Sequence, residues 1–187
     1  FIDEAYSLCR GGDKDFGREA IDALVKAMED HKEDFVLILA GYNQEMDEFI
    51  HANPGLQSRL PLQIDFPDYN LEELLAISKL MYQKREYLLS EGSKIELERA
   101  LRRVLLQDPR YNGNARTVRN LVEASLRCQA VRLINNKKQD QENLDKEGLS
   151  LINEADIRLA AHKVFANKKR KENQANRNND IPEAQAY

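Results

Sequence analysis

The sequence predicts an α/β fold: a short parallel sheet with intervening helices over residues 1–69, an all-α domain over 70–166, and a polar tail over 167–187. Three observations predict it. The apolar runs Phe1-Ile2 and Phe35 to Ala40 have the character of strands buried in a parallel sheet. The first runs into Asp3-Glu4 and the second into Gly41-Tyr42-Asn43, so polar groups gather at the strand carboxyl ends, where such sheets bind ligands. Beyond Tyr69-Asn70, strand-like runs give way to apolar residues at helical spacing alone.

Taken in order, Arg10 to Gly17 is a charged, glycine-bearing stretch without apolar periodicity and reads as a loop, either a solvated connection or a segment that touches substrate. Ile21, Leu24, Val25 and Met28 then recur at helical spacing, with Arg18, Glu19, Asp22, Lys26, Glu29 and Asp30 on the other face. After the run at Phe35, Met46, Phe49 and Ile50 mark another helix. Asn43 has two compatible readings, as the N-cap of that helix or as a side-chain amide set beside the two acids. Asn53-Pro54-Gly55 signals a turn, and Leu56 to Leu60 leaves room for a short helix that displays Arg59. Leu62, Ile64 and Phe66 alternate with Gln63 and Asp65 between two prolines, the pattern of a strand with one wet face.

In the second domain, Leu71, Leu74, Leu75, Ser78, Met81 and Tyr82 mark one helix and Leu97, Leu101, Val104 and Leu105 a second. Val118, Leu121, Val122, Ser125, Leu126 and Leu133 mark a third, with Asn114 as its expected N-cap. Arg116 and Arg119 fall in its first turns, where the helix dipole disfavours cations. Either an anion binds there or neighbouring carboxylates pair with them. Leu151-Ile152 is an extended segment before Asn153, which caps a last helix with Ile157, Ala160, Ala161 and Val164 on its apolar stripe. From Asn167 the apolar content is too low to offset ordering entropy, which predicts disorder, with a solvated basic cluster at Lys168 to Lys171.

Composition narrows the function classes. The chain has 187 residues, 42% of them hydrophobic, and 28 basic against 32 acidic side chains give a net charge of −4. That is enough apolar material for a core, and it creates no field demanding nucleic acid or an anionic membrane. Without an apolar run of membrane-spanning length or a secretory leader, the sequence points to the cytoplasm. Cys9 and Cys128 are too few for a disulfide framework, and His31, His51 and His162 are isolated from one another and from both thiols.

Two adjacent acids at a strand end suit nucleoside triphosphate hydrolysis, in which Asp3 would hold Mg²⁺ and Glu4 would polarise the attacking water. Four phrases then stand in one order: Phe1-Ile2-Asp3-Glu4-Ala5-Tyr6, Leu37 to Asn43, Asn53 to Arg59, and Gly113-Asn114-Ala115-Arg116-Thr117-Val118-Arg119-Asn120. Over about residues 1–133 this resembles the AAA+ ATPases, in the branch of CbbX and stage V sporulation protein K, and Arg10 to Asp22 and Ile64 to Tyr69 are most similar to the latter.

The resemblance implies a partial P-loop NTPase sheet, the AAA+ core remnant from Walker B to arginine finger over 1–69, followed by a helical lid over 70–166. It implies ATP and Mg²⁺ as cofactors, Asp3-Glu4 as the Walker B pair with Asp3 on the metal, and Asn43 as the residue that helps to position the water. Arg59 matches the finger that acts on a neighbouring subunit's nucleotide, Arg116 the second sensor that reaches the phosphates from the lid, and Arg10 to Gly17 the second pore loop. The expected assembly is a homo-oligomeric ring, a hexamer, that remodels a protein client; neither a membrane nor nucleic acid is an expected partner. One departure stands out: no Gly-x-x-x-x-Gly-Lys-[Ser/Thr] loop occurs in the sequence. The expectation is therefore the C-terminal part of a longer ATPase, inactive by itself. The alternative is a non-catalytic module that docks on intact subunits.

Overall fold

The computed structural model describes residues 1–9, 16–106, 113–139 and 146–179. Most of the loop expected at 10–17, the turn at 108–112, part of the polar stretch after residue 135 and the last eight positions of the tail lie outside the described residues. The chain divides into two compact units, Phe1–Pro67 and Asp68–Tyr187.

In the first unit, a 3₁₀ turn at Ala5–Cys9 is followed by α1 (Gly17–Asp30), α2 (Asn43–His51) and α3 (Pro54–Gln57). The apolar stripe of α1 meets the turn and α2, so that Ala5, Tyr6, Ile21, Phe49 and Leu56 are buried with Val25, Met28, Leu39 and Met46 packed around them. Gly17 starts α1 against the turn, where any Cβ would run into the Leu8 carbonyl.

The strand segments pair less than their sequence suggests. Ile2 forms one parallel bridge with Leu39. Its N–H donates to the Ile38 carbonyl and its own carbonyl accepts from Ala40 N–H, both at 2.9 Å. The rest of Phe35 to Ala40, expected to be a fully buried strand, leaves Val36 82% and Ile38 53% exposed. The segment at Leu62, Ile64 and Phe66 forms no strand among the described residues and leaves these side chains 75%, 65% and 85% exposed. The physical reason is shared. A buried parallel strand needs neighbours on its edges and a layer on each face, and among the described residues Ile2 is the one strand partner in this unit.

The second unit is helical with a two-stranded parallel sheet. Its elements are α4 (Leu71–Gln83), β1 (Leu88–Leu89), α5 (Glu91–Leu105), α6 (Asn114–Gln139), α7 (Lys146–Ser150), β2 (Leu151–Ile152) and α8 (Glu154–Asn179). β1 pairs with β2 through Leu88 opposite Leu151 and Leu89 opposite Ile152. The predicted stripes of α4, α5, α6 and α8 converge in one core around Leu74, Tyr82, Leu97, Leu101, Val118, Leu121, Val122 and Ile157. Helix starts are satisfied locally: Asn70 and Glu73 form a capping box on α4, and Ser90 Oγ accepts from Ser93 N–H on α5. Where disorder was expected from residue 167, α8 continues to Asn179.

Polar contacts tie the long helices together inside this core. The Tyr82 hydroxyl lies 2.7 Å from Ser125 Oγ. Arg132 on α6 grips Asp156 on α8, with Nε 3.0 Å from Oδ1 and Nη2 2.9 Å from Oδ2, and donates to the Leu151 carbonyl as well. Asp156 also accepts from Asn153 N–H at 2.9 Å, which closes the first turn of α8.

Candidate active site

Asp3 and Glu4 leave the Ile2–Leu39 bridge together and are both exposed. The backbone turns sharply at this point. Glu4 has φ +49, in the left-handed region, and its N–H donates to Asp3 Oδ1 at 3.0 Å. A non-glycine residue there costs roughly 1–3 kcal/mol and persists where surrounding contacts enforce it. Those contacts are visible: Ala5 N–H donates to the Ala40 carbonyl at 3.0 Å, and the chain beyond folds into the 3₁₀ turn.

The parallel bridge brings the second segment to the same edge. Ala40 pairs with Ile2, and Gly41-Tyr42 leads directly into α2, whose first residue is Asn43. The Tyr6 and Tyr42 rings stand 6.5 Å apart with their planes at 33°, a second tie between the two strand ends. Asn43 is not the helix cap that its residue type suggests. Tyr42 occupies that position, no side chain caps the helix, and the exposed Asn43 amide belongs to the first turn.

Arg59 lies just past α3 in the same unit and is turned toward its own chain. Its Nη2 pairs with the Glu29 carboxylate of α1, and Nη1 donates to the Gly55 carbonyl at 2.9 Å and to Ser58 Oγ at 3.2 Å. Nothing in the local sequence announces the Glu29 partner, which lies thirty positions upstream.

Arg116 belongs to the second unit. It is exposed in the first turn of α6, which contains no acid, and among the described residues neither it nor Arg119 has a carboxylate partner. Among the described residues, the surface ion pairs that would explain these cations do not form. Asn114, expected as a conventional cap, is instead the first residue of α6 at φ +44, after Gly113 at φ +65. The Gly-Asn pair is the sequence signal for this bend, because both residue types tolerate the left-handed region.

No group of three or more metal-ligating side chains exists among the described residues. No helix among the described residues is long and apolar enough to cross a membrane.

Comparison with known proteins matches residues 70–178 to the AAA lid domain family. The chain is 51% identical to stage V sporulation protein K of Bacillus subtilis over 83% of its own length and 49% of that protein. It is 40% identical to protein CfxQ of Xanthobacter flavus, over 89% of the chain and 50% of that protein. It is also 44% identical to the chloroplastic ribulose bisphosphate carboxylase/oxygenase activase of Cyanidioschyzon merolae, over 71% of the chain and 45% of that protein. The chain thus spans about half the length of the curated relatives it matches.

Proposed function

The chain belongs to the AAA+ ATPases, in the branch of stage V sporulation protein K and the CfxQ proteins, and from this we propose that it is the C-terminal portion of an ATP-hydrolysing motor that remodels a protein client. In this reading Asp3 and Glu4 are the Walker B pair. Asp3 would hold Mg²⁺, which neutralises charge on the phosphates, while Glu4 takes the proton of the attacking water and Asn43 orients that water. Arg59 acts on the nucleotide of a neighbouring copy in a homo-oligomeric ring, a hexamer, and Arg116 contacts the phosphates from the lid. The phosphate-binding loop and its lysine would come from a segment preceding Phe1. The proposed setting is the cytoplasm. A sporulation-linked role is favoured by 51% identity to the Bacillus subtilis protein, against 40% and 44% to the other two relatives.

The observation that carries the reading is the parallel Ile2–Leu39 bridge with Glu4 bent into the left-handed region. Two strand ends tied together, with exposed acids on one and an amide on the other, suit a site where water meets a metal-bound phosphate. The test is to express this segment with the in-frame coding sequence upstream of Phe1 and measure ATP turnover. Steady hydrolysis that Glu4→Gln abolishes is expected. An upstream sequence without a phosphate loop, or turnover indifferent to Glu4→Gln, would overturn the proposal.

A further inference from the structure

Asn114 makes contacts that helix capping does not explain. A capping side chain bonds backbone N–H groups of its own helix, but the Asn114 amide reaches back 45 and 46 positions along the chain. Its Oδ1 accepts from Tyr69 N–H at 3.0 Å, and its Nδ2 donates to the Asp68 carboxylate. Asp68 and Tyr69 are the first residues of the second unit, immediately before the Asn70–Glu73 capping box that starts α4.

The same residue shapes the turn that carries Arg116. Gly113 and Asn114 are both left-handed, and Arg116 N–H and Thr117 N–H then close on the Gly113 carbonyl at 2.9 and 3.2 Å. The helix therefore starts on a bend that L-residues adopt at a cost in free energy, and the two amide contacts offset it. One side chain thus fastens the segment entering this unit to the first turn of α6, two residues before a cation without a carboxylate partner among the described residues.

We propose that Asn114 is a positioning residue for Arg116: by clasping Asp68 and Tyr69 it sets where the first turn of α6, and with it the Arg116 guanidinium, meets the nucleotide phosphates. This rests on the phosphate-contacting role proposed for Arg116. Loss of the clasp leaves Arg116 chemically intact but misplaced, so nucleotide affinity suffers.

The experiment uses the longer ATPase that contains this segment and measures the KM for ATP, kcat and thermal unfolding. Asn114→Gly keeps the left-handed backbone accessible and removes only the amide. The expected result is a KM about tenfold higher, the scale of two lost hydrogen bonds, with Asp68→Ala, which removes one of the two and leaves Tyr69 N–H on Asn114 Oδ1, giving a smaller rise in the same direction. In an Arg116→Ala background, Asn114→Gly is expected to add nothing, because the clasp acts through Arg116. Additive losses in the double variant, or an unchanged KM in Asn114→Gly, would overturn the inference. If Asn114→Gly fails to fold, Asp68→Ala decides by the same two criteria. An Arg116→Ala enzyme with unchanged KM would instead remove the underlying role of Arg116, an outcome distinct from failure of the clasp alone.

Discussion

The Arg59 guanidinium is clamped by the Glu29 carboxylate across the α1–α3 corner, with the Gly55 carbonyl 2.9 Å away on its other side. Both partners are substantially exposed, Arg59 by 28% and Glu29 by 51%, so the pair contributes only about 0–1 kcal/mol to stability. Arg59→Ala should therefore leave the melting temperature nearly unchanged. In the assembled ATPase it should lower kcat by about 10³–10⁵, the scale of an arginine that stabilises a transferring phosphoryl group. Mixing Arg59→Ala subunits with subunits that supply the arginine but lack their own hydrolytic site should restore turnover. No recovery in mixed assemblies would exclude action on a neighbouring copy.

Glu4 separates backbone from side chain. Glu4→Gln should keep nucleotide binding and stop hydrolysis, since the amide cannot take up the proton of the attacking water. Glu4→Gly should be equally inactive but no less stable than the parent, because glycine adopts φ +49 without steric cost. Nucleotide titration, turnover and thermal melts on both variants test this. A Glu4→Gly enzyme that still hydrolysed ATP would remove the carboxylate from the chemistry.

Arg132 and Asp156 should be a stability determinant of the second unit. Asp156 is 2% exposed and holds Arg132 through two oxygens, so deleting either partner strands a largely buried charge. Arg132→Met is expected to cost about 3–5 kcal/mol. Replacing both with well-packed apolar residues should cost far less than that single change. Chemical denaturation of the single and double variants measures the difference.

Tyr82 makes stability fall in strong alkali. Burial, first of all, pushes its phenol up to about 12 from the ordinary 10; the nearby Asp156 charge acts in the same direction, and the Ser125 hydrogen bond opposes both. A folded pKa above the unfolded one means that the contribution is fully present below pH 10. It is lost as pH rises from 10 toward 12, where the unfolded chain releases this proton and the folded chain keeps it. In Tyr82→Phe the alkaline loss should shrink, although neutral-pH stability drops by about 0.5–1.5 kcal/mol with the Ser125 bond. An identical alkaline profile in parent and variant would assign the titration elsewhere.

The helices of the second unit were legible because their core is built from stripes that each helix displays by itself. Leu74, Leu97, Leu101, Leu121, Val122 and Ile157 lie at the predicted helical spacing and are all buried. The apolar runs at Phe35 and Leu62 misled about burial, since a strand is completed by neighbours that its own residues do not encode. Leu88-Leu89 went unread because two residues carry no period.

The candidate site divides in the same way. Residue type and local spacing singled out Asp3, Glu4, Asn43 and Arg116, as acids at a strand end, an amide after the next run and a cation where a helix disfavours it, whereas Arg59 was marked only by the resemblance to the AAA+ ATPases. Only the tertiary structure decided that Glu4 bends into the left-handed region, that Arg59 turns to Glu29, and that Asn114 spends its amide on Asp68 and Tyr69 rather than on its own helix. Periodicity is set by the geometry of one element, whereas a contact across 46 positions exists only once separate elements have packed and brought both partners within reach.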